Sequence, residues 1–209
     1  MDYFIAILLF AISSSITPGP NNVLVMTSGL NFGVKRSMPL LCGICFGFTV
    51  MLLIVGIGFM QVFTYFPSLH LVIKTLGVGY LLYLAYLIAN SSNAISSSSQ
   101  PTPLSFLNGA LFQWINAKAW IVASGAIAAF TTVNVSSFEQ QITIALIFLF
   151  VSFPCVGIWL LFGSVLKRHL TKPRYLICFN YTMSLLLILS VLPVVNELID
   201  VICAALFTQ

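Results

Sequence analysis

Long apolar runs of bilayer-spanning length, separated by short polar breaks, dominate this chain. Runs at 3 to 30, 37 to 63, 70 to 90, 104 to 131, 139 to 166 and 175 to 195 each approach or exceed the roughly 20 residues that a helix needs to cross about 30 Å of hydrocarbon. The pattern predicts an all-α membrane protein with six transmembrane helices in a single transporter-like domain over 1–209. The first run contains its own interruption. Ser15-Ile16-Thr17-Pro18-Gly19-Pro20-Asn21-Asn22 stands between Ile7–Ile12 and Val23–Met26, and two prolines remove two backbone donors while clashing with the preceding turn. A continuous helix through this segment is excluded. Freed carbonyls and amides cost several kcal/mol each in lipid, so the break has to be buried in protein or line a polar cavity. Many transporters build their binding sites from such discontinuous helices.

Asn90 to Pro103 is the one low-complexity stretch, and the linker 91–103 divides the chain into halves 1–90 and 104–209, each with three runs. Three is odd, so the second half enters the membrane with opposite orientation, the requirement for a 3+3 inverted repeat. The first run of the second half carries a matching polar interruption, Gln113-Trp114-Ile115-Asn116-Ala117-Lys118, about halfway along. Broken first and fourth helices are therefore expected.

Composition changes the picture in two ways. With 60% hydrophobic residues, 6% charged and a mean hydropathy of +1.09, a soluble enzyme or nucleic-acid-binding module is excluded. The net charge of +4 is an orientation signal: Lys35, Arg36, Lys167, Arg168, Lys172 and Arg174 flank the connections after runs one, three and five, against Lys74 on the other side. The positive-inside rule puts those connections in the cytoplasm and both termini on the opposite, outer side of the membrane. The start, Met1-Asp2-Tyr3, lacks the positive flank of a signal peptide.

Lys118 is the one ionisable residue expected deep in the hydrocarbon, where a charge costs at least about 2.5–3.5 kcal/mol. Its ammonium is suited to an anionic group such as a carboxylate. Asn21 and Asn22 open the second half-helix of run one, so their amides lie at its positive dipole end, while the carbonyls freed before Pro18 and Pro20 form the negative end. A zwitterion fits that pair of ends. Asp2, Glu139, Glu197 and Asp200 all fall near run ends, which disfavours a cationic substrate and a buried carboxylate proton relay. The candidate substrate-binding set is Thr17, Pro18, Gly19, Pro20, Asn21, Asn22, Gln113, Asn116 and Lys118; no metal site or cofactor is expected.

Gly43 and Gly47 form a small-xxx-small motif suited to close helix packing. Cys42 and Cys45 overlap it with CxxC spacing, which raises a transmembrane thiol-disulfide electron carrier as the alternative to transport. The remaining cysteines, 155, 178 and 203, lie in apolar segments and form no disulfide framework. His70 and His169 sit at run edges. Pro154 and Gly157 are expected to bend run five, and Asn180 to hydrogen-bond between helices in run six.

Pro18-Gly19-Pro20-Asn21-Asn22, the Asn31-Phe32-Gly33-Val34-Lys35-Arg36 turn and the Gly43/Gly47 helix together resemble the signature of the LysE/RhtB amino-acid exporter family. Lys74 to Leu84 and the Gln113 to Lys118 segment match that family's third and fourth helices, and the resemblance covers essentially the whole chain, on its cysteine and O-acetylserine exporter branch. It implies efflux of small neutral amino acids, with cysteine, O-acetylserine, threonine and homoserine as the candidate kinds. Two positions depart from the family pattern. Asn21 stands where Asp is common, which removes a candidate proton carrier, and Ala117 stands where Pro is common, which weakens the case for a break in run four. The substrate, the coupling ion and a homo-oligomeric state are left open, as is a passive channel.

Overall fold

The computed structural model describes residues 2–59, 65, 67–90, 102–131, 137–169 and 173–207. All regular secondary structure among these residues is helical. The helices are α1 (Asp2–Ile16), α2 (Pro20–Phe32), α3 (Val34–Ile54, followed by a π-helical turn Val55–Phe59), α4 (Pro67–Asn90), α5 (Phe106–Ile115), α6 (Ala117–Phe130), α7 (Ser137–His169) and α8 (Pro173–Phe207). Val34–Gly58 and Phe138–Lys167 are long and apolar enough to cross a bilayer, and α1 with α2 makes a third such element, bent by 56°. Val78–Asn90 within α4, the whole of α6, and Arg174–Leu189 within α8 are further apolar helical segments. The linker 91–103 lies outside the described residues up to position 101, and Lys172 lies outside them too.

The break in the first run falls where two prolines put it. α1 stops at Ile16, Gly19 is fully extended, and Pro20 takes the first helical position of α2, where a missing N–H costs nothing. The polar end of α1 folds its hydroxyls back on its own turn: Ser13 and Ser14 donate to the Phe10 carbonyl at 3.0 and 2.7 Å, and Thr17 to the Ser13 carbonyl. At the other end of α2, Gly33 closes the helix by donating to the Gly29 carbonyl at 2.9 Å and opens α3 directly. Its φ of 79° is reachable at low cost only without a Cβ, so Gly33 makes a one-residue hairpin between two membrane helices. The Arg36 guanidinium stacks over Phe32 across it, 5.8 Å from the ring centre.

The fourth run also breaks, without the proline. Asn116 alone is non-helical, with φ −83° and ψ 103°, and its side-chain oxygen accepts the Lys118 amide at 3.1 Å, so one residue ends α5 and caps α6. In run five, α7 continues as one helix through Pro154 and Gly157. Run six is longer than 175–195, because the Glu197–Phe207 segment continues α8 as a helix.

Packing is set by small residues at backbone contacts. A Cβ on Gly43 would stand 2.0 Å from the Phe106 carbonyl oxygen and one on Gly47 2.5 Å from Ala110, so α3 and α5 touch main chain to main chain. The Gly43/Gly47 expectation holds. Gly163 and Gly29 do the same between α7 and α2, against Met26 and Leu160. Thus α2 packs chiefly on α7 and α5 chiefly on α3, each broken helix lying against the second long helix of the other half.

Two apolar clusters result. Leu24, Val25, Leu40, Ile44, Leu84, Phe112 and Leu160 centre the first, drawn from α2 to α5, α7 and α8. Ile7, Ala11, Met51, Leu52, Ala123, Ile144 and Phe148 centre the second, from α1, α3, α6 and α7. The chain crosses from one cluster to the other at both helix breaks. The polar groups of both breaks lie between them.

Candidate functional site

That polar layer is held by the two breaks. Lys118, the second residue of α6, reaches the Thr17 carbonyl with its ammonium at 2.7 Å. It packs so closely on Gly19 that a Cβ there would meet its Cδ at 3.0 Å and its Nζ at 3.2 Å. The lysine therefore lies along the break in the first run. An ammonium has three donors, so after Thr17 two remain.

Asn22, 3% exposed, spans the same break: its Nδ2 donates to the Ser15 carbonyl at 3.1 Å and to the Thr17 carbonyl at 2.9 Å. The indole of Trp159 on α7 donates to the Ile16 carbonyl at 3.1 Å. The carbonyls freed by the prolines are thus covered by protein donors. On the α2 side the first intrahelical bond is from the Val23 amide to the Gly19 carbonyl, at 3.0 Å, and Gly19 offers no side-chain cap. The amides of Asn21 and Asn22 accordingly form the positive end of a helix that begins beside the Lys118 ammonium.

Asn21 and Gln113 clasp the two broken helices together, exchanging two amide hydrogen bonds of 3.0 Å. Gln113 is fully buried and its amide also donates to the Gly109 carbonyl at 2.9 Å, which uses its donors within the protein. A cavity of about 50 Å³ opens beside these groups. Gly19, Asn21, Asn22, Asn116 and Lys118 line it; Thr17, Pro18, Pro20 and Gln113 do not, and act on it through Lys118 and Asn21. Ile44, Phe48, Val122, Phe148 and Val156 form its apolar wall, and Ser14, Ser15 and Ser152 bring hydroxyls. No acidic side chain is among its described lining residues. The sequence reading did not single out the serines or the rings: Ser152 is one polar residue in an apolar run, and which face of α7 it takes is decided by packing.

A second polar cluster lies at the far end of α2. Asn31 and Asn180 exchange reciprocal hydrogen bonds of 2.9 and 3.1 Å, as expected of Asn180, and Lys167 donates to the Asn31 carbonyl at 3.2 Å, a cation at a helix C-terminus.

The cysteines are free among the described residues, and no group of His, Cys, Asp and Glu there could hold a metal. Cys45 is 1% exposed within the first apolar cluster. Thiol exchange needs an accessible thiolate, which this setting opposes.

Residues 12–197 match the model of the LysE type translocator family. The chain belongs to that family. Among its curated relatives, the cysteine/O-acetylserine efflux protein of Klebsiella pneumoniae is 29% identical over 195 residues, covering 92% of this chain and 96% of the relative. The proteins of the same name from Salmonella typhimurium and Escherichia coli O1:K1 are each 27% identical over 160 residues, covering 76% of this chain and 81% of theirs. No solved structure matches. This LysE-family translocator is a helical membrane protein, and the matched residues include both helix breaks and Lys118.

Proposed function

We propose that this translocator exports small neutral amino acids across a bacterial inner membrane. In this reading six spans form a 3+3 inverted repeat with broken first and fourth helices. The observation that carries it is the Lys118 ammonium lying beside the uncapped start of α2, in a cavity with no acidic side chain among its described lining residues. That constellation is an anion subsite on one side of an otherwise small, largely apolar chamber, and a substrate carboxylate supplies the missing charge. The names of the relatives support an amino acid, with cysteine and O-acetylserine the first candidates. The cavity, about 50 Å³ and walled by Ile44, Phe48, Val122, Phe148 and Val156, supports a small substrate with an uncharged side chain.

In the 3+3 inverted repeat, exchanging the halves maps the α5–α3 contact onto α1–α7 and the α2–α7 contact onto α6–α3, and all four contacts are present; the two glycine-mediated approaches, α2 on α7 and α5 on α3, are separate crossings between the halves. Alternating access then consists of rocking these crossed pairs about the polar layer, opening one apolar cluster and closing the other.

The test is counterflow of radiolabelled cysteine, O-acetylserine, threonine and leucine in proteoliposomes. Saturable exchange of one or two of the small substrates, lost when Lys118 is replaced, is the expected outcome. Verified insertion without exchange of any of the four would overturn the assignment, and flux that neither saturates nor shows counterflow would make the protein a pore.

A further inference from the structure

We infer that the side-chain oxygen of Asn22 is the subsite for the substrate's ammonium group, and that this exporter therefore selects α-amino acids with a free, protonated amine. The inference rests on the carboxylate reading of Lys118 given above and extends it to the other end of the zwitterion.

The sequence directs the ammonium to the carbonyls that the prolines free. In the folded protein those carbonyls have donors: Asn22 serves Ser15, Trp159 serves Ile16, and Asn22 and Lys118 serve Thr17. The orientation of the Asn22 amide is fixed by the same bonds. Its nitrogen faces two carbonyl oxygens at 3.1 and 2.9 Å, and a flipped amide would set oxygen against both. The oxygen must therefore be the other atom. Asn22 Oδ1 is fully buried and accepts no hydrogen bond from the protein, although Asn22 lines the cavity. A buried amide oxygen left unpaired costs about 1–3 kcal/mol. Less than 1 Å² of it is open to a water-sized group, so a donor in the chamber reaches it through a small shift of the Asn22 side chain or its neighbours, which the recovered hydrogen bond favours.

Two features select an ammonium as that donor. Asn22 Nδ2 and Lys118 Nζ share the Thr17 carbonyl, at 2.9 and 2.7 Å, so the amide and the cation stand side by side, as the amine and carboxylate of one α-amino acid do. The remaining polar lining consists of hydroxyls and amides, with no competing carboxylate among the described residues. An acceptor beside a cation therefore discriminates between zwitterions and simple anions.

Three ligands that share one side chain make the test. Labelled cysteine counterflow, under reducing conditions, is competed with unlabelled cysteine, 3-mercaptopropionate (no amine) and cysteamine (no carboxylate), for wild type, Asn22→Leu and Lys118→Met. In wild type, 3-mercaptopropionate should compete about tenfold or more weakly than cysteine, the loss expected for one hydrogen bond to a charged group and a re-orphaned acceptor. In Asn22→Leu cysteine and 3-mercaptopropionate should come within about threefold of each other. Equal competition by both in wild type, or undiminished discrimination in Asn22→Leu, overturns the inference while leaving the Lys118 subsite standing. Cysteamine competing as well as cysteine in wild type, or no cysteine counterflow at all, overturns the carboxylate reading on which it rests. Should Asn22→Leu fail to insert, Asn22→Ser, which keeps a short hydroxyl near Thr17, takes its place with the same two outcomes.

Discussion

Replacing Lys118 by methionine separates a binding role from a structural one. The lysine holds one protein acceptor, the Thr17 carbonyl at 2.7 Å, and presents two further donors to the cavity. Charge-assisted hydrogen bonds contribute about 1.5–3 kcal/mol, so methionine should raise the half-saturating substrate concentration by roughly 10- to 150-fold. Stability should move little. The variant forfeits the charge-assisted bond to Thr17, about 1.5–3 kcal/mol, but also removes a half-buried charge whose desolvation opposes folding by a similar amount. Membrane yield and melting temperature should therefore match wild type while exchange collapses. The assays are concentration-dependent counterflow in proteoliposomes and thermal unfolding in detergent on the same preparations. Wild-type half-saturation would remove Lys118 from the site; loss of exchange accompanied by a drop of many degrees in melting temperature would make it a strut for the helix break.

Other consequences follow from the same contacts. Gly19→Ala meets no backbone obstacle, because Gly19 is extended, but its Cβ would press on the Lys118 tip at 3.0–3.2 Å; it should weaken substrate binding several-fold with melting unchanged. Gly43→Ala drives a methyl to 2.0 Å from the Phe106 carbonyl oxygen and should destabilise by about 1–3 kcal/mol, whereas Gly157→Ala, with nothing within 4 Å, should be neutral or slightly stabilising in the same melting assay. Asn31→Leu removes both hydrogen bonds of the clasp from the fully buried Asn180 amide and should cost about 1–3 kcal/mol; a double-mutant cycle with Asn180→Leu should show a coupling of about 1 kcal/mol, and additive losses would show that the clasp does not act as a unit. Cys42→Ala with Cys45→Ala should leave counterflow unchanged, and abolished exchange would restore a thiol mechanism.

Which parts of this protein the sequence determined follows from which interactions are local. Pro18 and Pro20 forbid a continuous helix whatever surrounds them, so the break between Ile16 and Pro20 was legible, whereas the end of the last helix, carried on to Phe207, was not. Close packing at Gly43 and Gly47 was legible too, because only small residues let two backbones meet. The break at Asn116 was half legible. The polar residues marked its place, but with Ala117 instead of proline it depends on a side chain that caps the next helix. Helix rotation and partnering were out of reach of the sequence, since they depend on groups about a hundred residues apart. Gln113 is committed to Asn21 rather than to the cavity, Trp159 and Lys118 cover carbonyls that looked free, and Ser152 turns inward. The chain wrote down where its helices stop; tertiary packing chose which polar atoms were left for a substrate, because hydrogen bonds between distant side chains consume the others first.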